Sequence, residues 1–107
     1  MTPLPEIAGA VTDCIAAAWV DVRTDAVIEQ HVVRDAPLVA QALDAAIEVM
    51  RSSERPPRMV MISARHVHIV QRLAADPRRA LVVICERSPN LGLAVALVRA
   101  FAGAEAA

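Results

Sequence analysis

The sequence has no lysine and no tyrosine, and it has few aromatic residues, glycines and cysteines. Its 107 residues include one tryptophan, one phenylalanine, three glycines and two cysteines. Three scattered glycines leave no glycine-rich loop that could cradle the phosphates of a nucleotide. Two cysteines cannot form the disulfide framework of a small secreted protein. The scarcity of aromatic side chains also removes a stacking platform for single-stranded nucleic acid.

The charge balance excludes further classes of partner. All eleven basic residues are arginine, and twelve acidic residues bring the formal net charge to −1 at pH 7. That balance gives nucleic acid or an anionic membrane no electrostatic attraction to the chain. We interpret the use of arginine alone as the codon bias of a GC-rich genome, so single arginines receive little functional weight.

The chain is rich in hydrophobic residues, but they occur only in short runs. They make up 56% of the chain, yet no run approaches the roughly 18–20 residues that cross a bilayer. The segment 1–6 also lacks the basic region of a secretory signal. We therefore expect a cytoplasmic protein with no membrane span. Because a short chain has a high ratio of surface to volume, part of the apolar surface is expected to lie in a protein interface.

Proline and polar residues divide the chain into eight predicted elements within a single domain, residues 1–107. Connections as short as Ala64–Arg65 predict antiparallel pairing, because parallel strands need long crossovers. The predicted fold class is α+β, a five-stranded antiparallel sheet with helices on both faces, in the order α-β-β-α-β-β-β-α. Helices are predicted over residues 4–11, 38–51 and 91–101, and strands over 14–22, 26–34, 58–63, 66–73 and 80–86.

The central helix has the clearest pattern. Asp35 is placed as its N-cap with Pro37 in the first turn, and Pro56-Pro57 marks the end of the helical segment. The helix is apolar over much more than the roughly 100° that one sheet would cover, which predicts a second apolar neighbour. One narrow polar stripe runs along it, formed by Gln41, Asp44, Glu48 and Arg51.

Residues with catalytic or metal-binding chemistry do not form a recognisable set. His66 and His68 share one face of a predicted strand, but a metal needs three or four ligands and His31 is the only other histidine. Cys14 and Cys85 lie in apolar strands and are interpreted as small buried residues. No serine occupies a G-x-S-x-G elbow. We therefore expect no catalytic residue, no metal site and no cofactor.

The second half of the chain carries a family resemblance. A strand pair is predicted from MVMISARHVHIVQRL and a third strand from ALVVICERS, and the segment 90–94, NLGLA, leads into an apolar helix. Together with the order of elements along the whole chain, these segments resemble the roadblock/LC7 domain family, in particular its bacterial MglB-like branch. One departure is the first hairpin turn, residues 23–26, which lacks the glycine commonly found there.

The resemblance implies a non-catalytic homodimer in which the central helix and the third strand meet their copies. It also implies a small Ras-like GTPase as partner, whose activity the dimer regulates or which it anchors. We place the partner contacts on the polar stripe Gln41, Asp44, Glu48 and Arg51. Two alternatives stay open, an adaptor without a GTPase partner and a small-ligand sensory domain. The residues assigned to the dimer interface are Val39, Leu43, Ala46, Ile47, Met50, Met59 and Met61.

Overall fold

The computed structural model describes residues 2–52, 58–87 and 90–104. The predicted order of elements is confirmed, whereas the predicted connections at Pro56-Pro57 and Ser88-Pro89 lie outside the described residues. The elements are α1 (Leu4–Ala10), β1 (Cys14–Asp21), β2 (Ala26–Val32), α2 (Ala36–Ser52), β3 (Arg58–Ile62), β4 (His66–Arg72), β5 (Arg79–Glu86) and α3 (Leu91–Ala104).

The five strands form one antiparallel sheet in the order β2-β1-β5-β4-β3. The central strand β5 and its neighbour β1 are buried along almost their whole length. Both faces of these strands are covered, which explains why their sequences are continuously apolar instead of alternating. The strands β2 and β3 form the two edges of the sheet.

The helices cover the two faces of the sheet unequally. Helix α2 alone packs on one face, over a core that includes Leu43, Met50 and Val82. Helices α1 and α3 share the opposite face, over a core that includes Ile7, Trp19 and Val98. No described helix has the length and apolar character needed to cross a membrane.

Aspartates occupy three sharp turns of the backbone. Asp13, Asp25 and Asp35 each have a φ of 57°, in the left-handed region that aspartate tolerates better than most residues. The first hairpin turn has no glycine, and Asp25 adopts the left-handed conformation that a glycine would otherwise provide there. Asp35 also precedes α2 as predicted, and its Oδ1 accepts a hydrogen bond from the backbone N–H of Leu38 at 3.4 Å.

The pairing of β2 with β1 is interrupted by a bulge. Glu29 lies opposite Trp19 and Val27 lies opposite Val20, so Ile28 is an extra residue in the edge strand. The pairing of β3 with β4 has no such interruption, since each residue from Arg58 to Ile62 has one partner. A bulge twists an edge and ends regular pairing, so the two edges differ in shape as well as in sequence.

Candidate docking surface

Most of the residues assigned to the dimer interface lie inside the chain. The five on α2 are at most 4% exposed and pack against the sheet of the same molecule. Contacts with a second copy would therefore have to be made by their exposed neighbours. The five residues are Val39, Leu43, Ala46, Ile47 and Met50.

One flank of α2 leaves apolar side chains uncovered. Leu38 is half-buried, Ala45 is exposed and Val49 is 36% exposed. At 3.6 residues per turn these three lie on the flank opposite Arg51, and Arg51 pairs with Asp25 in the β1–β2 turn. The apolar flank is therefore directed toward the half of the sheet formed by β4 and β3.

The edge strand β3 continues this apolar surface. Met59 and Met61 are half-buried and pack at the border of the core beneath α2. Val60 and Ile62 belong to the other face and are 37% and 57% exposed. Arg58 is the only charged residue of the strand. We call the combination of Leu38, Ala45 and Val49 with 59–62 the docking surface.

The polar stripe of α2 is exposed along its whole length, as its spacing predicts. Arg51 donates a hydrogen bond to Asp25, which ties the end of α2 to the β1–β2 turn. Asp44, Ile47 and Glu48 line a shallow cavity of about 180 Å³ beside this pair. The stripe thus presents carboxylates to solvent, and its role in binding a partner stays a prediction.

The two strand histidines share one face of β4, as predicted. His68 lies opposite Met61 of β3 on one side and Ile84 of β5 on the other, which places it beneath α2 beside the docking surface. Burial lowers the pKa of His68, and the neighbouring His66 lowers it further. Within the described residues, no group of three or more histidine, cysteine or acidic side chains is arranged to hold a metal ion.

The two cysteines lie directly opposite each other in the β1–β5 pairing, and both are buried free thiols. Burial raises the pKa of Cys14 to about 11, with a further contribution from Cys85. Burial also raises the pKa of Cys85. A nucleophilic cysteine reacts as the thiolate, and burial disfavours that form at both positions.

Sequence reasoning missed the exposed members of the docking surface, Ala45, Val49, Val60 and Ile62. The signal for Ala45 and Val49 was present, because helical spacing sets them apart from the polar stripe. The sequence of β3 does not show which of its two faces is exposed, since every position after Arg58 is aliphatic or methionine.

The comparisons with known proteins support the fold. No protein-family model and no curated protein sequence matches the chain. A roadblock/LC7 domain from Streptomyces avermitilis superposes with a TM-score of 0.73 at 13% identity, covering 94% of this chain and 89% of that one. An MglB structure with a tetrameric arrangement gives 0.77 at 15% identity, covering 95% and 84%. MglC from Myxococcus xanthus gives 0.67 at 12% identity, covering 92% and 89%. The chain therefore has the roadblock/LC7 fold.

Proposed function

We propose that this chain is a non-catalytic homodimeric regulator or scaffold that binds a small Ras-like GTPase. The observation that carries the proposal is the docking surface, an aliphatic area that runs from one flank of α2 onto an edge strand with open backbone groups. Contiguous apolar surface rimmed by polar residues is typical of protein interfaces. The likeness to MglB and MglC, together with the family resemblance, supports a GTPase as the partner.

In the proposed dimer, β3 pairs with its copy and the apolar flanks of the two α2 helices pack together. Among the described strands only β4 pairs with β3, so the outer N–H and C=O groups of β3 are available for antiparallel pairing with a copy. The five buried residues of α2 then support the interface from within, while Leu38, Val49, Met59 and Met61 make the contacts. The polar stripes of the two helices remain on the outer surface, available to the GTPase.

The role in GTP hydrolysis follows from what the chain offers. It supplies an exposed stripe with Asp44 and Glu48, and it has no glycine-rich loop for a nucleotide. The nucleotide site would therefore be provided by the GTPase, and the dimer would hold the switch segments of that enzyme in one arrangement.

The experiment is a binding assay with purified components. Light scattering of the chain alone should give twice the mass of one chain, and the chain should neither bind nor hydrolyse GTP. A small Ras-like GTPase from the same genome, loaded with GDP or with a non-hydrolysable GTP analogue, should bind the dimer with a preference for one nucleotide state.

Reversing the charge of single side chains tests where the GTPase contacts the dimer. Asp44→Arg on the polar stripe should abolish GTPase binding, whereas Glu6→Arg makes the same charge change at an exposed position of α1, on the other face of the sheet, and should leave binding unchanged. A dimer that binds no GTPase in either nucleotide state would favour the adaptor alternative. A monomer at micromolar concentration would contradict the proposed dimer.

A further inference from the structure

Four arginines converge at one end of the sheet. The β1–β2 turn, the end of α2 and the β4–β5 connection meet there around a cavity of about 420 Å³. Its floor is apolar, and no carboxylate is among the described residues that line it. The lining residues are Val22, Arg23, Met50, Arg51, Arg72, Pro77 and Arg78.

Three of the guanidinium groups are held in place by the fold. Arg72 is half-buried, and it donates to the carbonyl oxygens of Met50 at 2.7 Å and Pro77 at 2.8 Å. These bonds hold its guanidinium between the last turn of α2 and the β4–β5 connection. A side chain that is already fixed loses less conformational entropy when it binds a ligand.

The other two fixed arginines are held by acidic neighbours outside the cavity. The Nε of Arg78 donates to Asp76 Oδ1 at 3.1 Å, and this hydrogen bond lowers the pKa of Asp76. Arg51 pairs with Asp25. The two pairs leave each guanidinium with further N–H donors, because each has five.

Arg23 differs from these three. Its guanidinium has no hydrogen-bond or ion-pair partner among the described residues, although its backbone N–H donates to Asp21 Oδ1 at 2.9 Å and fixes the turn. Three carboxylates of the described residues lie near the four cationic groups of the cavity: Asp25 and Asp76 pair with Arg51 and Arg78, and Asp21 attracts Arg78 electrostatically. Genome bias accounts for arginine in place of lysine, but it does not account for this convergence from three separate elements.

We propose that this cavity binds a phosphate monoester. Planar guanidinium groups donate paired N–H bonds that match phosphate oxygens. A carboxylate accepts one such fork, whereas a phosphate has enough oxygens to accept from several arginines that approach from different directions. The volume lies within the range of about 300–1,000 Å³ that small-molecule sites occupy.

The phosphate could be carried by a small molecule or by a phosphorylated side chain of a protein, and calorimetric titration distinguishes the two sources. The probes are inorganic phosphate, glycerol 3-phosphate and a phosphoserine peptide, with the unphosphorylated peptide and acetate as references at constant ionic strength. Saturable binding of phosphate with no binding of acetate is expected. Tighter binding of glycerol 3-phosphate or of the phosphoserine peptide identifies the source.

Arg23→Ala is the decisive variant, because its side chain is exposed and supports no other group. Binding of the tightest probe should weaken by at least tenfold while the thermal unfolding curve is unchanged. The matched control is Arg65→Ala, which removes the same charge from the exposed β3–β4 turn at the other end of the sheet. The proposal is overturned if none of the three phosphate probes binds, or if the two variants weaken binding equally. The proposed GTPase function is independent of both outcomes.

Discussion

The two edge strands, β2 and β3, hold similar positions in the sheet but differ in their pairing and in their side chains. Each carries an exposed isoleucine, Ile28 at 50% and Ile62 at 57%. Ile28 lies in a bulge between Val27 and Glu29, and the strand also contains Gln30 and His31. A bulge and polar side chains are features that discourage an edge from pairing with another chain.

The β3 edge has neither feature. Its pairing with β4 is regular, and no charge follows Arg58. The neighbouring flank of α2 is apolar on this side, whereas on the β2 side Arg51 ties α2 to the adjoining turn. Edge position alone therefore does not single out one edge for association, and regular pairing with uncharged neighbours is what favours β3 in the proposed dimer.

The largest effect on the free energy of unfolding is expected from a substitution in the core beneath α2. Leu43 is 2% exposed and lies in the core beneath α2. Leu43→Asp loses the buried side chain and places a charge in an apolar site, at a cost of at least about 4 kcal/mol. Since small domains are stable by about 5–15 kcal/mol, chemical denaturation should show the loss of a large part of the free energy of unfolding.

Val49→Asp is the matched control for that variant, because it adds the same charge on the exposed flank of the same helix. It should retain the circular dichroism spectrum and the cooperative unfolding of the original chain while the dimer dissociates. Equal destabilisation by the two substitutions would contradict the separation between core and docking surface.

The next largest effect is expected on the dimer dissociation constant, and it compares the same substitution on the two edge strands. Ile62→Lys places a charge on the β3 edge, and the dimer dissociation constant measured by analytical ultracentrifugation should rise by at least tenfold, because the two copies would bring this charge to the edge along which their β3 strands pair. Ile28→Lys makes the same change on the β2 edge at similar exposure and should leave the dimer intact. If Ile28→Lys dissociated the dimer and Ile62→Lys did not, the interface would be assigned to β2 instead.

A smaller effect is expected for the ion pair on the β2 side. Both side chains are about half exposed, at 56% for Arg51 and 48% for Asp25. Exposed pairs contribute about 0–1 kcal/mol, so Arg51→Ala should reduce the free energy of unfolding by no more than that. The double variant with Asp25→Ala isolates the pair. A loss well above 1 kcal/mol would show that Arg51 has a larger structural role.

The smallest effect is a pH dependence on the β3 side, and it comes from His68. Its pKa lies below the ordinary value of 6.5 in the folded chain. Well above pH 6.5 the imidazole is neutral in both the folded and the unfolded state. As the pH falls below 6.5, the unfolded state takes up the proton first and stability declines until the folded pKa is passed. Thermal unfolding between pH 7.5 and 5 should show this decline, and His68→Gln should reduce it. An unchanged pH profile in His68→Gln would assign the dependence to other groups.

The sequence predicted the fold well because its local signals agreed. The Asp35 cap, the short hairpin connections and the continuous apolar runs of β1 and β5 all indicated the same arrangement. The assignment of α2 side chains was less successful, since helical periodicity separates polar from apolar residues but does not say which apolar residues face the sheet. Leu43 and Val49 look equally apolar in sequence, and only packing distinguishes them.

The arginine cavity was beyond sequence reasoning for a related reason. Arg23, Arg51, Arg72 and Arg78 come from separate parts of the chain, and no spacing rule connects them. They meet because the antiparallel register brings Asp21 opposite Arg79 and so places the β1–β2 turn beside the β4–β5 connection. Long-range register is set by the packed sheet as a whole.

The position of β5 between β1 and β4 has a consequence for how the chain folds in time. The hairpins β1–β2 and β3–β4 join neighbours in sequence, but they become one sheet only when β5 enters between them. The pairing of Cys14 with Cys85 closes a loop over most of the chain, and contacts of such long range slow folding. During synthesis on the ribosome, one edge of the apolar strand β1 would stay unpaired until the last strand is made. The native sheet would form only after β5 has emerged.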